Sequence, residues 1–104
     1  PILWFFESCD LNVFDMERVL WRLAHCGWFS HVGGCLIGRP LHFDEPLFGL
    51  DQYAAVLHRL KQYRIPIIMD ADFGPLPPTL PLVNGAVATV ARTGNRLELR
   101  YEFR

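Results

Sequence analysis

Ile65-Pro66-Ile67-Ile68-Met69-Asp70-Ala71-Asp72-Phe73-Gly74-Pro75-Leu76-Pro77-Pro78-Thr79-Leu80-Pro81-Leu82 decides how this chain folds. Its first five residues form an apolar run that reads as a buried strand over 65–69. Two carboxylates, Asp70 and Asp72, stand where that strand is expected to end. A Gly-Pro turn follows, then a segment with four prolines between Pro75 and Pro81. Each proline fixes φ and removes a backbone donor, so the segment cannot join a regular ladder. It reads as a stiff surface connection at a strand's exit. In α/β sheets that exit, the carboxyl end of a strand, is where ligands tend to bind.

Upstream, two similar units repeat the same logic. Ile2-Leu3-Trp4-Phe5-Phe6-Glu7 reads as a fully buried strand ending on a carboxylate. Asn12 is the expected N-cap of a helix, with Asp15 three residues on. Met16, Val19, Leu20 and Leu23 recur at helical spacing up to about Cys26, and Gly27 suits the left-handed residue that ends a helix. Val32–Gly38 is a second buried strand, whose glycines signal close backbone approach, closed by Arg39-Pro40. A second helix is expected from Asp51 to Tyr63, with Tyr53, Val56, Leu57 and Leu60 on its apolar face and Gln52, Arg59 and Lys61 opposite.

Downstream, Ala86–Ala91 and Arg96–Phe103 read as two strands joined by Arg92-Thr93-Gly94-Asn95. Leu97, Leu99, Tyr101 and Phe103 alternate with charges, so one face only is buried. The order is therefore β-α-β-α-β-loop-β-β. Three apolar strands separated by helices predict a small parallel sheet covered on both faces, with an antiparallel hairpin added.

The 104 residues predict a single domain over 1–104, and half of them are hydrophobic, which excludes disorder. A net charge of −1 without a basic stripe argues against nucleic-acid binding. No apolar run is long enough to span a bilayer. The chain opens directly inside an apolar strand at Pro1, which reads as a piece of a longer protein. Cys9, Cys26 and Cys35 have no metal-ligand spacing and read as three reduced thiols, two of them buried.

No nucleophile elbow, phosphate loop or HExxH motif is present. His25 and His58 read as solvated or packing residues, and His31 carries no signal. His42, beside Asp44 and Glu45 in an irregular loop, is the histidine best placed for chemistry. Asp70 and Asp72 could share a cleft, and the preferred reading is that one caps a turn and the other faces water. Arg39 could hold a substrate carboxylate or pair with one of these aspartates.

Phe6-Glu7 after an apolar strand, Gly34 to Gly38-Arg39-Pro40, Ile65-Pro66-Ile67, Asp72-Phe73-Gly74-Pro75 and Thr79-Leu80-Pro81-Leu82, in this order, resemble the C-terminal domain of the LD-carboxypeptidase family. These are serine peptidases of the S66 type, with the microcin C self-immunity proteins among them. The resemblance implies a swivelling β/β/α-type domain from a two-domain cytoplasmic enzyme, commonly a homodimer. It implies a Ser-Glu-His triad assembled between the domains, acting on a muropeptide or other peptide substrate without metal or other cofactor. Glu7 matches the glutamate that orients the histidine. Pro75 stands at the histidine position, and a proline ring has no nitrogen to move a proton. Arg39 and Asp72 are candidate substrate-binding residues. The chain is thus expected to be inactive by itself, the serine belonging to an N-terminal domain outside it. The alternative is a non-catalytic peptide-binding or interaction domain of the same descent. Trp4, Trp28 and the loop 41–49 are candidates for the face that meets the N-terminal domain.

Overall fold

A computed structural model describes residues 1–39, 49–74, 79 and 81–102. The elements are β1 (Ile2–Phe6), α1 (Val13–His25), β2 (Val32–Gly38), α2 (Gln52–Leu60) running into a short 3₁₀ turn (Lys61–Tyr63), β3 (Ile67–Ala71), β4 (Val87–Thr93) and β5 (Arg96–Glu102). The order matches the expected one.

The three parallel strands lie in the order β1-β2-β3. Two right-handed crossovers progressing in one direction put both helices on the same face of the sheet. That face holds the main core, in which Val13, Met16 and Leu20 of α1 and Ala55, Val56 and Leu60 of α2 pack on Cys35 and Ile37 of β2. The hairpin covers the other face, where Val90, Leu97 and Leu99 meet Leu36, Ala71 and Phe73. The layers are therefore hairpin, parallel sheet, helices.

Local chemistry explains the helix ends. Asn12 Oδ1 accepts from Asp15 N (2.9 Å) and Asp15 Oδ2 from Asn12 N (3.4 Å), a complete capping box. At the far end Gly27 has φ +79°, Gly27 N donates to Ala24 O and Trp28 N to Leu23 O, both at 3.1 Å. This is the Schellman arrangement. Asp51 caps α2 through Ala54 N (2.8 Å), and Arg64, at φ +52°, ends the 3₁₀ turn. In the hairpin, Gly94 alone of the two loop residues has positive φ, as a type II′ turn requires.

Four expectations are corrected. β1 is an edge strand and only partly covered, with Ile2 and Phe5 exposed. β3 begins at Ile67 and runs through Asp70 to Ala71, two residues later than expected. On α2 the buried face is Gln52, Ala55, Val56 and Leu60, while Tyr53 and Leu57 are exposed. Gln52 is drawn inward because its Nε2 donates to Leu11 O (3.2 Å) ahead of α1. Of the cysteines, Cys35 is buried and both Cys9 and Cys26 are exposed.

Candidate functional site

The parallel sheet brings three strand exits to one edge: Glu7 after β1, Arg39 after β2, and Asp72-Phe73-Gly74 after β3. The β3 exit is the most elaborate. Leu36 pairs with Ile68 and Gly38 with Ala71, so β3 carries one residue more than β2 over the same span. The extra residue is accommodated at Asp70, whose φ is +56°. A bulge of this kind shifts the side-chain alternation by one position. Ile67 and Met69 face the helices, whereas Ile68 and then Ala71 face the hairpin.

After the bulge the chain turns tightly, with Phe73 N donating to Ala71 O (2.8 Å). Phe73 is buried and meets the Phe5 ring edge-on, centroids 6.0 Å apart. It lies directly over Gly38, where a Cβ would come within 2.5 Å of Phe73 O. Glycine is required there by close approach. Gly74 follows at φ +109°, and a Cβ on it would lie 3.2 Å from Glu7 Cβ and 3.3 Å from Glu7 Oε2. The turn from β3 thus rests against the Glu7 side chain. Glu7 itself is exposed and, among the described residues, has no hydrogen-bond or ion-pair partner. The next residue, Ser8, is buried, and its hydroxyl has no partner among the described residues.

Arg39 Nη2 stands 3.7 Å from Asp72 Oδ1, so Arg39 and Asp72 come together as a partly solvated pair. Asp70 goes elsewhere: its Oδ2 accepts from the Tyr53 hydroxyl (2.5 Å). The two aspartates line one cleft of about 530 Å³ with Arg92 and Arg96, but their carboxylates are held by different partners. The hydrogen bond to Asp70 pushes the Tyr53 hydroxyl up to about 12, with its burial and the charges of Asp70 and Asp51 adding to the effect. The sequence pattern places Tyr53 on the apolar face of α2 and gives its hydroxyl no role. The bond joins residues 17 apart on two different elements, and no local sequence pattern pairs them.

The described histidines stand away from this edge. His25 stacks on Trp21 and donates from Nδ1 to Trp21 O (3.0 Å). His31 precedes β2 at the opposite end of the sheet. His58 reaches Glu17 of α1, which Arg59 also approaches at 3.8 Å. Trp4 is half-buried on the helix side, with the exposed Trp28 stacked over it at 5.3 Å. His42, the loop 41–48 and Pro75 lie outside the described residues. Among those described, no three His, Cys, Asp or Glu side chains group as metal ligands, and no helix is long and apolar enough to cross a membrane.

The family model for the LD-carboxypeptidase C-terminal domain matches residues 1–90. The chain belongs to this family. No curated protein and no solved structure matches it. The match spans the LD-carboxypeptidase C-terminal domain from β1 into β4, and so includes Glu7, Arg39 and the whole β3 exit.

Proposed function

We propose that this chain is the C-terminal domain of a two-domain serine peptidase of LD-carboxypeptidase type, supplying Glu7 to a Ser-Glu-His triad and carrying Pro75 where the histidine belongs. The observation that carries the reading is the contact between Gly74 and Glu7, 3.3 Å from the carboxylate oxygen to a Cβ position on the glycine. It brings the chain to Glu7 one residue before position 75. A carboxylate that is open to solvent and has no partner among the described residues suits the task of holding an imidazole in one tautomer. The Arg39–Asp72 pair, at the exits of β2 and β3 on the same edge of the sheet, offers a guanidinium to a peptide carboxylate.

In an intact triad, serine attacks the LD peptide carbonyl, histidine takes its proton and returns it to the leaving amine, and water resolves the acyl-enzyme. Position 75 as proline cannot take the proton, so this chain, with neither the serine nor the histidine, is inactive alone. Its partners in this reading are its own N-terminal domain, a muropeptide or peptide-nucleotide substrate, and a second copy of the two-domain protein, in the cytoplasm. The second reading, a domain that binds peptide without turnover, is favoured by Pro75 itself.

The test is the full-length protein and its Pro75→His variant, assayed with an LD-linked murein tetrapeptide. The variant is expected to gain at least about 100-fold in hydrolysis, the usual contribution of a general base. Absence of any gain, with the upstream serine present, would show that position 75 is not the histidine position. Peptide binding without turnover in both proteins would favour the second reading.

A further inference from the structure

We propose that Tyr53 and Asp70 form a positioning clamp, tying the first turn of α2 to the bulge in β3 and thereby fixing where the Asp72-Phe73-Gly74 turn stands against Glu7. Asp70 is the hinge of this arrangement. Its backbone is left-handed, at φ +56°, a conformation that residues with a Cβ disfavour. Without the bulge, strict alternation would aim Asp70 at the hairpin and Ala71 at the helices. With it, Ala71 and Phe73 join the apolar layer beneath the hairpin.

A strained residue persists only where its surroundings hold it. The Tyr53 hydroxyl does so, donating to Asp70 Oδ2 at 2.5 Å. Tyr53 is well placed to act as an anchor, since the Asp51 cap fixes its turn of helix. The ring is 40% exposed, so it contributes little to the core, and the hydroxyl is its distinctive part. Because its ionisation is pushed up to about 12, the hydroxyl remains a donor throughout the neutral range. From Asp70 the path is short and continuous. Phe73 N bonds back to Ala71 O, Phe73 lies on Gly38, and Gly74 abuts Glu7. Neither Tyr53 nor Asp70 touches Glu7, so both act through the turn. The functional meaning of the clamp rests on reading the Glu7 edge as the site; its mechanical role does not.

The experiment uses the full-length protein with Tyr53→Phe, Asp70→Gly and the double variant. Asp70→Gly removes the acceptor while accommodating the positive φ, which separates the hydrogen bond from backbone strain. Amide exchange of Phe73 is expected to accelerate about three- to tenfold in each single variant, and no further in the double, while α1 amides keep their rates. Affinity for a murein tetrapeptide is expected to fall by a similar factor. Unchanged Phe73 exchange in both single variants overturns the clamp. Exchange that rises equally in α1 also overturns it, since the bond would then serve global stability alone. Faster Phe73 exchange in a protein that binds no tetrapeptide, before or after substitution, upholds the clamp and overturns the reading of the site.

Discussion

Cys35 sits on β2 against the helix-side core, 1% exposed, and burial pushes its thiol from 9.0 up to about 11. The thiolate is the reactive form, so both access and ionisation protect it. Cys9 and Cys26 are exposed to solvent. At about pH 8, where an ordinary thiol is partly ionised, two of the three thiols should react promptly with a disulfide reagent. The third should react only on unfolding, and replacing Cys35 with Ser should abolish that slow phase; three equally fast thiols would contradict this burial. The unfolded thiol ionises near pH 9.0 while the native one stays protonated to about 11, so the stability Cys35 contributes is complete below 9.0 and lost between the two values. At this scale the sequence reading overestimates how many thiols are buried, one rather than two. Cys26 has an apolar neighbourhood in sequence, yet it falls at the C-cap, turned out by the Schellman geometry of Gly27.

Helix boundaries were legible because their causes are local: Asn12 with Asp15, Gly27, and Asp51 each act within a few residues. The three parallel strands were legible as apolar runs for the same reason. The exit of β3 was not, because it depends on contacts distant in sequence. The bulge at Asp70 needs Tyr53, and the turn after it needs Gly38, over 30 residues upstream, to leave room for Phe73. The α2 face was misplaced by one register step because Gln52, polar in composition, satisfies Leu11 O and goes inward. The Gly38–Phe73 contact offers a test at the level of the element. A methyl on Gly38 would lie 2.5 Å from a backbone oxygen, which cannot rotate away. Gly38→Ala should therefore move the turn as a unit and cost about 1–3 kcal/mol, the usual range for overpacking. Phe73→Ala should instead leave the turn in place over a cavity and cost about 3–5 kcal/mol. Denaturant unfolding of the two variants and the double variant checks both. A double variant more stable than Phe73→Ala alone would contradict the overpacking account.

Across the whole molecule the two faces of the sheet are unequally sealed. Among the described residues, nine core residues on the helix side are fully buried, whereas the hairpin side has three, Leu36, Ala71 and Phe73. None of these three belongs to the hairpin. Its inward residues Val90, Leu97, Leu99 and Tyr101 are only half-buried. Two gaps, of about 360 and 270 Å³, run between the hairpin and the sheet near Leu3 and Leu36. Buried apolar area is what holds a layer down, and a seam with gaps forfeits contact on both sides. The Tyr101 hydroxyl donates to Pro81 O at 3.3 Å, which ties β5 to the segment leading into β4 and not to the sheet. The hairpin should therefore open before the rest. In native-state hydrogen exchange, β4 and β5 amides should exchange through a sub-global opening while β2 and α1 exchange only with global unfolding. Leu99→Ala should then cost on the order of 1 kcal/mol, below the roughly 2–5 kcal/mol expected for Leu20→Ala in the sealed core. Identical opening free energies for β5 and β2 would contradict the inequality. Because the apolar surface the hairpin covers includes Phe73, its opening would also unseat the turn that meets Glu7. Phe73 should accordingly be no better protected than β5, and clearly less protected than β2.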